Sequence, residues 1–219
     1  MPTPTDQLIL ALVRDATPVR RLRPPLQRAL SWLAVVAVIA TAATAAFTDW
    51  QVFDTRILNP DLVIEMTGTL LTGCLAVIAA FHLSLPDRSP RWALLPIPSL
   101  ILWLSGSGMG CYRHWLTNPT GDWALGDSAH CFMFILAVGL PLSAGLLWAL
   151  RRARPISPVP VALVGGLGAA SLAAFLLQFF HPFDITFMDL SVHALAVLIV
   201  IGIVAAKPVR AGLLATREG

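Results

Sequence analysis

Two of the three cysteines and two of the five histidines crowd into one stretch, residues 110–131, which reads GCYRHWLTNPTGDWALGDSAHC. Cys111 and His114 form a C-x-x-H pair, and His130 stands beside Cys131 at the other end. Thiols and imidazoles converging on one loop support two chemistries, a disulfide or a site for a soft or borderline metal ion. Pro119, Gly121 and Gly126 give the stretch the freedom to bring its ends together. A Cys111–Cys131 disulfide would close about twenty residues and stabilise by about 3 kcal/mol through loop entropy. A metal site would recruit the same thiols with His114, His130 or the more distant His181, and the spacing leaves both chemistries open.

Glu65 is a further candidate ligand, about one turn inside an apolar segment. A carboxylate costs about 2.5–3.5 kcal/mol at a bilayer centre and less near its edge, so it must snorkel, face a bundle interior or find a partner such as Arg113. Cys74, between Gly73 and Leu75 in mid-segment, reads as a small packing residue. His82 ends the same segment and reads as interfacial.

The elements that hold these residues are apolar. Of 219 residues, 57% are hydrophobic and 12% charged, with mean hydropathy +0.76; a soluble domain carries about 25% charged residues. This composition describes an all-α polytopic membrane protein. Net charge +3 and a pI near 9.1 would suit a nucleic-acid binder, but the placement of the charges follows a membrane instead. Three cysteines without a CxxC do not make a disulfide scaffold.

Six apolar segments are expected to span as helices, at 30–47, 62–82, 92–108, 129–150, 159–180 and 190–206, each near the roughly 17–25 residues a bilayer needs. The third is expected to kink at Pro96 and Pro98 and to stop at Ser105-Gly106-Ser107-Gly108. A shift of this kinked span against the fourth is the expected route for a signal across the bilayer. The fifth carries Gly165, Gly166, Gly168, Ala169 and Ala173, a small-residue face suited to close helix packing. Trp50, Trp92, Trp115 and Trp123 fall at span boundaries, where an aromatic belt anchors. Thr41 to Ala46 resembles a signal-peptidase site, but the long Pro-rich flank before it argues for an uncleaved anchor.

Orientation follows lysine and arginine. Arg14, Arg20, Arg21, Arg23, Arg28, Arg88, Arg91, Arg151, Arg152, Arg154, Lys207, Arg210 and Arg217 fall on one side, and only Arg56 and Arg113 on the other. Both termini are therefore expected in the cytoplasm. The 110–131 stretch then faces outward, in a bacterial periplasm where disulfides persist.

Residues 1–29 stand apart as a cytoplasmic partner-binding segment, followed by a transmembrane domain at 30–206 and a cytoplasmic tail at 207–219. Thr3-Pro4-Thr5-Asp6 is a helix start, with Thr at the N-cap, Pro first and Asp third. Leu8, Ile9, Leu12, Val13 and Ala16 then share one face opposite Gln7, Arg14 and Asp15, and Pro18 stops the helix. Such a helix lies on a membrane surface or folds on a cytosolic partner. In the second case Leu8, Ile9, Leu12 and Val13 enter a groove, while Arg20, Arg21 and Arg23 meet acidic surface.

Three features together resemble a known family. They are Thr5-Asp6-Gln7-Leu8-Ile9 leading to Pro18-Val19-Arg20-Arg21-Leu22, six spans with inside termini, and Gly126-Asp127-Ser128-Ala129-His130-Cys131 opening the fourth span. The chain resembles the NrsF family of membrane-embedded anti-sigma factors. The resemblance implies an inner-membrane protein whose N-terminal segment holds an extracytoplasmic-function sigma factor, with outward cysteines taking part in the response to heavy metals. It implies no catalysis, no required cofactor beyond a transition-metal ion at the Cys/His site, no direct nucleic-acid contact and no small-molecule substrate. The family pattern carries His-Cys-Pro before the last span, where this chain reads Phe180-His181-Pro182. Either Cys111 replaces the missing cysteine as partner of Cys131, or His181 serves with Cys131 as a metal ligand. Competing classes are a membrane thiol/quinone or haem oxidoreductase and a small transporter. The lack of a CxxC weighs against the first, and the shortage of mid-membrane charge against the second.

Overall fold

The structure, a computed structural model, describes residues 3–14, 21–117, 125–153, 155–180 and 187–215, and every element among them is helical. α1 spans Pro4–Arg14. Its start is a reciprocal cap: the Thr3 amide donates to Asp6 Oδ2 at 2.9 Å, and the Asp6 amide donates back to Thr3 Oγ1 at 3.3 Å. The expected N-cap is borne out. Ala16, Pro18 and Arg20 lie outside the described residues.

The long helices are α2 (Pro25–Phe47), α4 (Pro60–Leu83), α5 (Ile97–Thr117), α6 (Leu125–Leu150), α7 (Pro158–Leu177) and α8 (Phe187–Ala215), with a short α3 (Trp50–Arg56) between α2 and α4. Among the described residues, five stretches are long and apolar enough to cross a bilayer, Pro25–Phe47, Pro60–Leu83, Pro90–Arg113, Ala129–Ala153 and Pro158–Leu177. The sixth expected segment, Leu190–Ala206, is a shorter apolar stretch inside α8. The end of the bundle where α2 starts and α4 and α6 finish is called the near end below; the opposite one is the far end.

α7 is the central helix, packed against α4, α6 and α8, while α5 packs on α4 and more lightly on α8. The small residues expected on α7 explain why. A Cβ on Gly168 would meet the Val77 amide nitrogen at 3.1 Å, and one on Gly166 would meet the Ile201 Cα at 3.1 Å. Backbones that approach this closely gain dispersion over their whole length, which is the main attraction left between helices in lipid. Gly68 does the same for α4 and α5, where an added Cβ would lie 2.7 Å from the Trp103 Cα.

The third segment differs from expectation. Pro90–Leu94 forms a 3-10 turn and Pro98 falls in the first turn of α5, so these prolines begin a helix instead of kinking one. The Pro96 carbonyl accepts from the Leu100 amide at 2.9 Å and from Ser99 Oγ at 2.9 Å. Nor does Ser105-Gly106-Ser107-Gly108 end the span, since α5 continues to Thr117. Gly106 fits against Ile64 and Ser107 turns its hydroxyl inward, so small residues serve packing here. Among the described residues α5 packs mainly on α4, and α6 on α7 and α8, so the third and fourth spans share no extensive face.

α2 is attached at the near end. Ala29 is fully buried, with Trp32, Leu33 and Val36 packed against the same core. Farther along, its alanines leave a cavity of about 470 Å³ against α4, α6 and α7. Cys74 lines this cavity and packs partly buried on the core, as a small filler should. His82 is buried at the near end, where its ring stacks on Trp92 with centroids 3.8 Å apart.

Candidate sensor centre and partner segment

The two cysteines expected in an outward loop prove to be helical residues. Cys111 lies in α5 and Cys131 in α6, each buried. The expectation of one long loop fails because residues 109–117 and 125–131 contain no proline and continue the flanking helices. Cys131 packs with Ile135, Leu177 and Ala196, which places it against α7 and α8. His130, its neighbour in sequence, is exposed. His181 and the side chain of His114 lie outside the described residues. Among the described residues no group of three or more His, Cys, Asp or Glu is gathered to hold a metal ion.

Glu65 neither snorkels nor pairs with Arg113. That arginine binds Asp61, one turn earlier on α4, through Nη1 at 2.9 and 2.8 Å from the two carboxylate oxygens. Glu65 is buried, with 3% of its surface exposed, and accepts from Ser107 Oγ at 3.1 Å. The Trp103 indole and the Gln178 side chain lie close enough to bear on its carboxyl group, and the Arg56 guanidinium supplies a nearby positive charge. Arg56 Nη1 donates in turn to the Gln178 carbonyl at 3.1 Å. Phe53, on the same short helix, stacks on Phe179 with centroids 4.9 Å apart.

One polar centre therefore ties α3, α4, α5 and the end of α7 together at the far end. Sequence reading picked out Glu65 and missed Arg56, Trp103, Ser107 and Gln178. A signal existed: Trp103, Ser107 and Cys111 recur every four residues, on one face of α5. A lone carboxylate in an apolar helix demands donors from such a face. The centre also lies between the two thiols. Cys111 is one turn beyond Ser107, and Leu177, which touches Cys131, precedes Gln178.

The segment expected to bind a partner contains α1. Leu8, Ile9, Leu12 and Val13 are between 52% and 67% exposed, and Leu10, on the other side, is 64% exposed. Arg21 and Arg23 are exposed as well. The apolar surface is thus wider than the single face read from periodicity, and among the described residues no helix packs extensively against it.

A family model described as NrsF, negative regulator of sigma F, matches residues 12–210. No curated protein and no solved structure matches the chain.

Proposed function

The chain belongs to the NrsF family, negative regulators of a sigma factor, and from that premise we propose that it holds an extracytoplasmic-function sigma factor at the bacterial inner membrane through residues 1–29. The observation that carries this reading is α1, a capped helix whose aliphatic side chains are all exposed at the head of an apolar bundle. A short helix of this kind is marginal alone in water and gains its order on a partner. The bundle acts as anchor and sensor, with six passes and both termini cytoplasmic, as the arginine distribution favours. It regulates and does not catalyse.

The signal enters at the far end as heavy metal or oxidant acting on Cys131 and Cys111. His114, His130 and His181 are the imidazoles available to complete a metal site. Modification of either thiol strains packing next to the Glu65 centre, since one sits a turn from Ser107 and the other against Leu177. Glu65 itself, enclosed by its own donors, supports the structure and is not available as a ligand.

The test is co-purification of the sigma factor with the full chain from membranes. Deleting residues 1–14 should release it, and adding metal or oxidant should release it from the intact chain. A sigma factor that stays bound after the deletion would sink the assignment of α1. Cys131→Ser should abolish release by the stimulus; normal release by that variant would remove Cys131 from the sensing role.

A further inference from the structure

Three arginines gather where α2 begins and α6 ends. Arg28, in the first turn of α2, donates Nη2 to the Ala149 carbonyl at 2.9 Å and lays its guanidinium 5.1 Å from the centroid of Phe81. Its Nη1 is buried without an acceptor. Arg151 and Arg152 flank the Trp148 ring at 5.6 and 5.4 Å, and the charge of Arg152 bears on Arg28. Asp87, on the near-end turn after α4, stands 3.7 Å from Arg88, and among the described residues no carboxylate pairs with Arg28, Arg151 or Arg152. Like charges left together at the edge of an apolar bundle call for an anion from outside the chain.

The cavity between α2 and the bundle begins about one turn above Arg28, at Leu30 and Leu33, and continues past Ala37 and Leu142. Its walls are apolar, so water would find too few polar partners there. Leu30 and Ile39 both line it and are exposed on the outer surface, which makes the cavity continuous with the face that meets lipid. Its size, about 470 Å³, falls in the ordinary range of ligand pockets.

We propose that this is a binding site for an anionic phospholipid, with the phosphate at Arg28 and Arg152 and one acyl chain along the cavity beside α2. Basic pockets between membrane helices suit anionic headgroups, and Trp148 sits at headgroup level between its two arginines. Arg28 lies three residues after Pro25, in the first turn of α2, so a lipid held there steadies the point from which the N-terminal segment leaves the membrane. The site does not depend on the identity of the partner, and its test measures lipid alone.

The experiment is native mass spectrometry of the full chain released from mixed micelles with equimolar phosphatidylglycerol and phosphatidylcholine. Each arginine should favour the anionic lipid by about fivefold, so wild type should retain phosphatidylglycerol over phosphatidylcholine by about 25-fold. Arg152→Gln, which leaves the Arg28–Ala149 bond in place, should lower the preference about fivefold, and Arg28→Gln with Arg152→Gln should bring it near parity. Ala37→Trp, which fills the cavity without changing charge, should lower retention of phosphatidylglycerol. Equal retention of both lipids by wild type overturns the proposal, as does an undiminished preference in Arg152→Gln. Full retention by Ala37→Trp, or displacement of the lipid by excess inorganic phosphate, overturns the acyl-chain assignment.

Discussion

α1 and α7 are both rich in apolar residues, yet they spend them in opposite ways. α7 buries 12 of its 20 residues, most of them glycine and alanine, against three other helices. α1 carries Leu8, Ile9, Leu10, Leu12 and Val13, and buries none of them. Small side chains let backbones approach, so the interaction energy of α7 is consumed inside the fold. Large side chains on a short helix bounded by charges have no such outlet within the chain. Their burial remains available to a second molecule, at about 1.5–3 kcal/mol for each side chain. One helix spends its apolar surface inside the fold, and the other leaves it exposed, which is what the proposed partner role requires.

Breaking the α1 side of this contrast should give the largest effect. Leu8→Asp with Leu12→Asp should weaken sigma-factor binding by at least a hundredfold, from the loss of about 3–6 kcal/mol of apolar burial. Isothermal titration would show it, and thermal unfolding of the bundle should be unchanged. A lowered Tm in this variant would mean that α1 belongs to the fold after all.

On the other side, Glu65→Ala removes the acceptor of the Ser107 hydroxyl, leaves Trp103 and Gln178 facing a void and strips Arg56 of its nearby counter-charge. The expected cost is about 3 kcal/mol of stability, read as a fall in Tm in detergent. The affinity of a peptide covering residues 1–29 should be untouched. A smaller loss is expected from Gly68→Ala, whose Cβ would meet the Trp103 backbone at 2.7 Å. Overpacking of this kind costs about 1–3 kcal/mol, and again only the unfolding midpoint should move.

The smallest effect sharpens the contrast within α1. Hydrogen bonds from the Thr3 side chain and then its backbone hold the Asp6 carboxyl below the usual carboxylate range. A depressed pKa means that the cap supports the helix above the ordinary carboxylate value, and that this support is lost as pH falls through the lowered one. Carbon chemical shifts of residues 4–14 in the full chain should therefore move toward coil on acidification. Asp6→Asn should abolish that pH dependence while the bundle stays folded. A shift profile that ignores pH in wild type would deny the cap any part in ordering α1.

Much of this was legible because it rests on local rules. The start of α1 at Thr3 and Asp6, the positions of the apolar helices and the small-residue face of α7 follow from caps, helix lengths and residue size, all of which act within a few turns. Reading failed where a residue's role depended on a distant neighbour. Pro96 and Pro98 looked like a kink and prove to begin a helix. Ser105 to Gly108 looked like a terminus, yet α5 runs on past them, and Gly106 and Ser107 prove to be packing residues because Ile64 and Glu65 lie opposite them.

From the sequence alone came the class of molecule, its segregation into a polar head and an apolar bundle, and the two thiols that stand near its far end. Hydropathy and charge are summed along the chain, and no fold is needed to read them. Only the tertiary structure decided that Arg113 goes to Asp61, that Glu65 is met by Ser107, Trp103, Gln178 and Arg56, and that Arg28 reaches Ala149. Those partners lie from 9 to 121 residues apart in the chain. Which of several polar groups meets a buried charge is settled by the rotation and depth of each helix. Those are set by the close contacts at Gly68, Gly166 and Gly168, which the whole bundle makes at once.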